Sequence, residues 1–436
     1  MRITSIAPAQ KFSLEITEIA SDKSLSHRCA IFALLSNGAC EVKNYLLGED
    51  TLDSLNIAKS LGLQVEQKGV GHFVLTPPSA IIEPRDVLNC GNAGTAMRLY
   101  TGLLAGVEGY FVLSGDKYLN ARPMKRIIAP LSAIGAQIYA RAQNTLAPIS
   151  IIGRQLEGFC YESPISSAQI KSAMILAGLS ASAPCRFSEP LLSRDHTERM
   201  LRAMGVKFDT NIAQDGKVTI DFNPQQKGQK LESFSFEVPS DPSSAFYFAL
   251  AACVMDCEVV LKNVLLNPTR IQAFEVLREM GAQITYHKSQ SALEDVGDIE
   301  IKGAQLRSVC VSEHISWLID EIPALSIAFA LAQGKSEVRN AKELRVKESD
   351  RISCVVQGLR AMGIECEEFE DGFSVQGGSL KPARINSFGD HRIAMSFAIA
   401  CLVCGGEIED SACIDVSFPN FLELLGKITR VDSHNM

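Results

Sequence analysis

Lysine and arginine recur at one kind of place in this chain, the opening of segments rich in Ala, Ser and Leu. Lys23, Ser24 and Arg28 open SDKSLSHRCAIFALL; Asn92, Gly94, Thr95 and Arg98 open GNAGTAMRLYTGLLAG; Ser166, Ser167, Gln169 and Lys171 open SSAQIKSAMILAGL. Asp320 and Glu321 open IDEIPALSIAFALAQG, and Asp390, His391 and Arg392 open GDHRIAMSFAIACLV. Arg122 in NARPMKR, Arg194 in SRDHTER, and Lys347, Glu348 and Arg351 in LRVKESDR add charge from other segments. Taken singly, each Arg or Lys reads as a solvated ion or half of an ion pair. Each Ser or Asp reads as a helix cap, and His196 and His391 as structural hydrogen-bonders. Repetition points further. Fork-shaped guanidinium groups suit phosphate and carboxylate, so unlike segments supplying cations at one topological end imply a site for a polyanionic ligand. Two carboxylates are out of place in such a site unless they move protons or hold a hydroxyl. Asp320 and Glu348 are therefore the candidates for general acid–base work.

The elements that must position these residues repeat along the chain. The Ala/Ser/Leu-rich segments, joined by SDPSSAFYFALAACV, number six, and each is apolar nearly all round, which predicts buried helices. A second pattern interleaves with them: an amphipathic helix, a glycine, then an alternating strand. It reads SLNIAKSLGLQVE, RIIAPLSAIGAQIYA, TERMLRAMGVKFD, IQAFEVLREMGAQITY and ISCVVQGLRAMGIECEE, with FPNFLELLGKIT as a truncated sixth copy. Gly62, Gly135, Gly205, Gly281 and Gly363 stand where helices end, roughly 70 to 80 residues apart. Six units divide into three per domain, with the break near LESFSFEVPSDPSS. The strand within residues 1–20 precedes the first Ser-Asp turn and is expected to pair with the later domain, so the chain would cross between domains near Ala20 and near Pro239. Buried helices sharing a direction would turn their positive N-termini to one side. Two facing domains would then focus positive potential on the cleft between them.

Bulk properties agree with a large two-domain protein. The 436 residues are 46% hydrophobic and 21% charged, with a net charge of −8. That balance argues against nucleic-acid or anionic-membrane binding. No uncharged apolar run reaches the length of a membrane span, and MRITSIAPAQKFSLEIT carries no secretory pattern. The thirteen cysteines sit mostly in apolar stretches and read as reduced core residues of a cytoplasmic protein. Cys401 and Cys404 form a CxxC without the second half of a zinc site. No phosphate-binding loop, dinucleotide fingerprint, HExxH or GxSxG is present.

The motifs SDKSLSHR, GNAGTAMR, ARPMKR, SSAQIKSA, SRDHTERM, NPTR, IDEIPAL, LRVKESDR and GDHRIAMSFA, in this order from residue 21 to 396, resemble those of the 5-enolpyruvylshikimate-3-phosphate synthase family. SFPNF near Phe418 extends the resemblance toward the C-terminus. It implies a two-domain inside-out α/β barrel of six βαβαββ-type repeats, with residues 1–20 plus 240–436 as one domain, 21–239 as the other, and the active site in the interdomain cleft. The implied reaction joins phosphoenolpyruvate to the 5-hydroxyl of shikimate-3-phosphate and releases phosphate. By the same resemblance, Lys23, Ser24 and Arg28 hold shikimate-3-phosphate, and Lys23 also reaches phosphoenolpyruvate. Gly94 lets the backbone approach the phosphoenolpyruvate phosphate and Arg122 binds it. Ser167, Ala168 and Gln169 line the shikimate-phosphate pocket, and Arg194 binds its phosphate. Lys347 contacts the substrate pair, and Arg351 and Arg392 clamp the phosphoenolpyruvate carboxylate. Asp320 takes the hydroxyl proton, and Glu348 with Lys23 protonates the methylene. No cofactor or metal is implied, and the partners are the two small-molecule substrates of a monomer.

Several positions depart from the family pattern. Val416 stands where some members have a lysine, and Ser21 where a glycine is usual. Ala168 and Arg194 match one subtype while Gly94 matches the other. Two rivals remain at this stage. An enolpyruvyl transferase acting on UDP-N-acetylglucosamine uses a loop cysteine, and LSGDKYLNARPM has none. A non-catalytic anion-binding protein of the same architecture has no need of Asp320 and Glu348 together.

Overall fold

The computed structural model describes residues 2–225, 229–289 and 293–435. The chain divides into two compact units. One comprises Met1–Ala20, Pro239–Ser291 and Asp295–Met436; the other comprises Ser21–Val238 with Ala292–Glu294. Among the described residues each unit holds three four-stranded sheets, and in all six the pairings run parallel, antiparallel, antiparallel from one edge to the other. In one, Ser235–Glu237 runs parallel to Cys40–Lys43, which pairs antiparallel with His72–Thr76, itself antiparallel to Gln64–Gly69. The N-terminal strand Arg2–Ile6 lies antiparallel between Gly406–Glu409 and Val431–Asn435, with Ala383–Asn386 at the parallel edge. Ser13–Ile16 runs parallel to Glu258–Leu265.

The six Ala/Ser/Leu-rich segments form helices: Lys23–Ala33, Gly94–Ala105, Ala168–Gly178, Pro242–Met255, Ile322–Leu331 and His391–Cys404. Their lack of a polar face has the expected result. Twelve of the fourteen residues of Pro242–Met255 are buried, so the helix has no side to turn to water. Phe248 of that helix meets Phe418 and Phe421 of the SFPNF segment at ring distances of 6.1 and 5.9 Å, and Tyr247 meets Phe421 at 5.7 Å. Each such buried ring stabilises the fold by about 1.5–3 kcal/mol, which fastens the C-terminal motif to the core.

The helix-ending glycines Gly62, Gly135, Gly205, Gly281 and Gly363 all adopt positive φ, between 84° and 119°. A side chain there would clash with its own backbone, so the sequence period is a backbone requirement. Gly426 differs, lying inside the short helix Phe421–Gly426. Caps differ too. Asp22, Asp241 and Asp390 accept first-turn amides at 2.7–2.8 Å. Ala93, Ser167 and Glu321 hold the other three cap positions without a side-chain cap bond. Eight cysteines are buried as expected, but Cys160 and Cys310 are exposed, since both lie on short edge strands. No helix among the described residues is long and apolar enough to cross a membrane.

Candidate functional site

In the Ser21–Val238 unit, three buried helices begin side by side. Gln169 donates to Thr95 Oγ1 at 3.2 Å and accepts from Arg98, which joins the first turns of Ala168–Gly178 and Gly94–Ala105. Arg28 reaches Ser172 Oγ at 3.0 Å and Thr197 Oγ1 at 2.9 Å, while its Nη1 donates to Ser24 O at 3.0 Å. That ties Lys23–Ala33 to the same level. Ser24, Ser167, Ala168 and Gln169 are only half-buried, at the accessible ends of helices otherwise enclosed. Three converging N-termini and the cations between them make a strongly anion-attracting region.

Lys23 forms an ion pair with Asp50, in the first turn of the outer helix Glu49–Ser60. Arg122 donates to Asn92 Oδ1 at 2.6 Å. A Cβ on Gly94 would lie 3.3 Å from Arg122 Nη1 and 3.5 Å from Arg98 Nη1. Gly94 lies outside the left-handed region, so space near two guanidinium groups, not conformation, asks for glycine. Arg194 is half-buried just before the outer helix His196–Ala203.

Lys171 departs from the grouping suggested by its sequence position. It is fully buried, and its Nζ contacts Glu189 Oε1 at 2.9 Å and Glu198 Oε1 at 2.8 Å. Its charge is spent inside the fold. His196 is likewise internal, with Nδ1 2.7 Å from Glu294 Oε1. Buried His27 shares a 2.6 Å hydrogen bond with Ser54, and burial, reinforced by Lys23 and Arg28, lowers its pKa to about 3.

In the other unit, one buried guanidinium gathers three carboxylates. Arg351 opens the helix Arg351–Ala361 and meets Asp390 Oδ2 through Nε at 2.9 Å, Glu348 Oε2 through Nη2 at 2.8 Å and Asp320 Oδ1 through Nη1 at 3.3 Å. Asp320 and Glu348, from separate segments, are thus brought to one point. Burial works against the Arg351 charge, but Asp390, Glu348 and Asp320 outweigh it and hold the pKa above its usual value. Buried Arg392 is also raised: burial opposes its charge, and Tyr247, Asp320, Glu321 and Asp241 overcome that. The Tyr247 hydroxyl beside it is pushed up to about 12, chiefly by burial. Lys347 lies 3.5 Å from Glu343, with its pKa lowered by burial.

Behind this cluster lies a network absent from the sequence reading. Arg270, the arginine of NPTR, donates to Asp241 Oδ1 at 2.9 Å and Ser243 Oγ at 3.1 Å, and Ser243 donates to Glu321. Glu321 adjoins Asp320, so the network fixes the backbone that carries it. Asp50 and Asp390 also had no distinctive signal. Asp50 stands 27 residues from Lys23 in an acidic helix start, and Asp390 reads only as a cap. Among the described residues no His, Cys, Asp and Glu side chains are grouped to hold a metal ion. A cavity of about 510 Å³ lined by Ser132–Gly135 and Arg154–Tyr161 includes none of the candidate residues.

Comparison with known proteins decides the family. The family model described as EPSP synthase (3-phosphoshikimate 1-carboxyvinyltransferase) matches residues 6–425. The chain belongs to the EPSP synthase family. A 3-phosphoshikimate 1-carboxyvinyltransferase of Helicobacter hepaticus is 63% identical over 436 residues, covering all of both chains. One from Wolinella succinogenes is 57% identical over 434 residues, 99% of this chain and 98% of that protein. Among solved structures, an EPSP synthase from Acinetobacter baumannii superposes with a TM-score of 0.87 at 37% identity, covering 100% of each chain. The mixed α/β architecture described above is thus shared with structurally known members of the family.

Proposed function

We propose that this chain transfers the enolpyruvyl group of phosphoenolpyruvate to the 5-hydroxyl of shikimate-3-phosphate and releases phosphate, a step toward aromatic amino acids. The observation that carries this reading is the meeting of Asp320 and Glu348 on buried Arg351, 3.3 and 2.8 Å away, in a chain of this family. Two carboxylates from separate segments held at one cation can serve as the proton acceptor and the proton donor that addition to phosphoenolpyruvate needs. The six sheets and six buried helices are read as βαβαββ-type units of an inside-out barrel, with residues 21–239 as one domain and 1–20 plus 240–436 as the other.

In this reading Lys23, Ser24, Arg28, Ser167, Ala168, Gln169 and Arg194 hold shikimate-3-phosphate. Arg122, with the open space at Gly94, receives the phosphoenolpyruvate phosphate. Arg351 and Arg392 take the carboxylate, which displaces the Asp320 and Glu348 oxygens from Arg351 and frees them for proton work. Lys347 contacts both ligands. Asp320 accepts the 5-hydroxyl proton as that oxygen bonds to C2 of phosphoenolpyruvate, and Glu348 with Lys23 delivers a proton to C3. The resulting tetrahedral intermediate returns a methyl proton, and its C–O bond to phosphate breaks to leave the enol ether. Ligand closure excludes water and strengthens each charged contact. The protein is expected to act as a cytoplasmic monomer.

Asp320→Asn tests the assignment. It keeps shape but cannot accept the proton, so kcat should fall about 100- to 10,000-fold while calorimetry shows substrate binding largely intact. A variant with near-wild-type kcat removes Asp320 from the chemistry. Replacing shikimate-3-phosphate by UDP-N-acetylglucosamine in the same phosphate-release assay should give no turnover.

A further inference from the structure

We propose that Lys171 is a positioning residue for Arg194, and that the buried Lys171–Glu189–Glu198 cluster sets the affinity for the phosphate of shikimate-3-phosphate without touching it. The inference rests on the assignment of Arg194 to that phosphate.

Lys171 sits one turn into the helix Ala168–Gly178, on the helix whose opening presents Ser167, Ala168 and Gln169. Its ammonium is fully enclosed and bonds to three different places: Glu189 Oε1 at 2.9 Å, Glu198 Oε1 at 2.8 Å and the backbone carbonyl of Ser193 at 3.0 Å. Glu189 in turn accepts from Ser193 N at 2.9 Å and Ser193 Oγ at 3.0 Å. Ser193 is therefore gripped at its amide, its hydroxyl and its carbonyl by one lysine–carboxylate pair.

The carbonyl bond matters most. The peptide group between Ser193 and Arg194 is planar, so holding Ser193 O fixes the plane from which Arg194 departs. On its other side, Arg194 is followed by the helix His196–Ala203, whose Glu198 is held by the same ammonium. Both flanks of Arg194 thus hang on Lys171. A solvated lysine could not do this, because a flexible ammonium in water fixes little. Enclosure makes these charge-assisted bonds strong and their geometry strict. The cluster also couples two parts of the proposed pocket, the first turn of Ala168–Gly178 and the Arg194 loop, through a rigid link.

Losing the Arg194 contact outright should weaken shikimate-3-phosphate about 10- to 100-fold. Misorienting it should cost a smaller share, about tenfold in KM for shikimate-3-phosphate, with KM for phosphoenolpyruvate changed less than about twofold. The variant of choice is Lys171→Met with Glu198→Gln, which removes one charge of each sign and so leaves the balance of the buried cluster unchanged. Glu189→Gln, which keeps the shape and one acceptor, is the milder second variant, with about a threefold rise expected. Each is measured alone and combined with Arg194→Ala, alongside thermal melts. Support requires a selective rise in KM for shikimate-3-phosphate that disappears when Arg194 is already alanine. Equal rises for both substrates, or a rise undiminished in the Arg194→Ala background, would overturn the positioning role. So would an unchanged KM in the compensated variant. If that variant does not fold, Glu189→Gln decides by the same criteria. An Arg194→Ala variant with wild-type affinity for shikimate-3-phosphate would instead overturn the assignment of Arg194, and this inference with it.

Discussion

Asp390 separates two kinds of contribution that its sequence position cannot. As the cap of His391–Cys404 it accepts Arg392 N at 2.8 Å. As an ion it accepts Arg351 Nε at 2.9 Å, Arg351 Nη2 at 3.4 Å and Ser349 Oγ at 3.0 Å. Asparagine caps about as well as aspartate, so if capping were its only task, Asp390→Asn would change stability by a few tenths of a kcal/mol at most. The ion pair changes that expectation. Asp390 and Arg351 are both fully buried, and removing one partner of a buried pair costs about 3–5 kcal/mol. Arg351 keeps Glu348 and Asp320, which offsets part of the loss, so Asp390→Asn should destabilise by about 2–3 kcal/mol. Asp390→Ala should lose about 1 kcal/mol more, the usual worth of a cap. Urea unfolding followed by circular dichroism gives both values, and steady-state assays should show kcat falling as Arg351 loses its anchor. An Asp390→Asn protein within 0.5 kcal/mol of wild type would refute the reasoning, since the buried charge would then contribute nothing beyond the cap.

Two further outcomes follow from single side chains. Gly94→Ala places a methyl 3.3 Å from Arg122 Nη1, so it should raise the inhibition constant of glyphosate, a longer phosphonate competitor in this family, more than KM for phosphoenolpyruvate. Inhibition assays that give equal constants for variant and wild type, or a wild type already resistant, would show that Gly94 does not limit the pocket's length. His27 has a folded pKa of about 3 against an ordinary 6.5, so the unfolded chain binds the extra proton between those values. Its contribution is complete above pH 6.5 and is lost as pH falls, by about 2 kcal/mol at pH 5. Urea melts of wild type and His27→Asn across pH 5–8 should show the slope flattening in the variant, and parallel curves would contradict the linkage.

The legible parts of the fold were those governed by neighbours in sequence. A helix apolar on every side has to be enclosed, and a glycine after an amphipathic turn has to supply positive φ, so Pro242–Met255 and Gly62 could be read from short windows. Capping was over-read for the same reason. Ser167 has the residue type and position of a cap, yet its side chain makes no cap bond. The site was legible as a set of charges but not as a set of pairs. Asp320 and Glu348 could be singled out because carboxylates are unusual among so many cations. That they share Arg351 depends on the segment of Asp320 meeting the one that carries both Glu348 and Arg351. Lys171 shows the limit most clearly. Its place in a first turn looks like that of the anion-facing residues, and only the tertiary approach of Glu189 and Glu198 turns its charge inward.

The most direct test of the central claim is to run the reaction in deuterium oxide and examine the products by NMR. Addition of the 5-oxygen to C2 with proton delivery to C3, followed by loss of phosphate, passes through a methyl group that holds one solvent-derived hydrogen. The enol ether formed from shikimate-3-phosphate and phosphoenolpyruvate should therefore carry deuterium in its vinyl methylene, with one phosphate released per product. No phosphate release with these two substrates would contradict the assigned activity, and a fully protonated vinyl group would contradict the addition–elimination course assigned to Asp320 and Glu348.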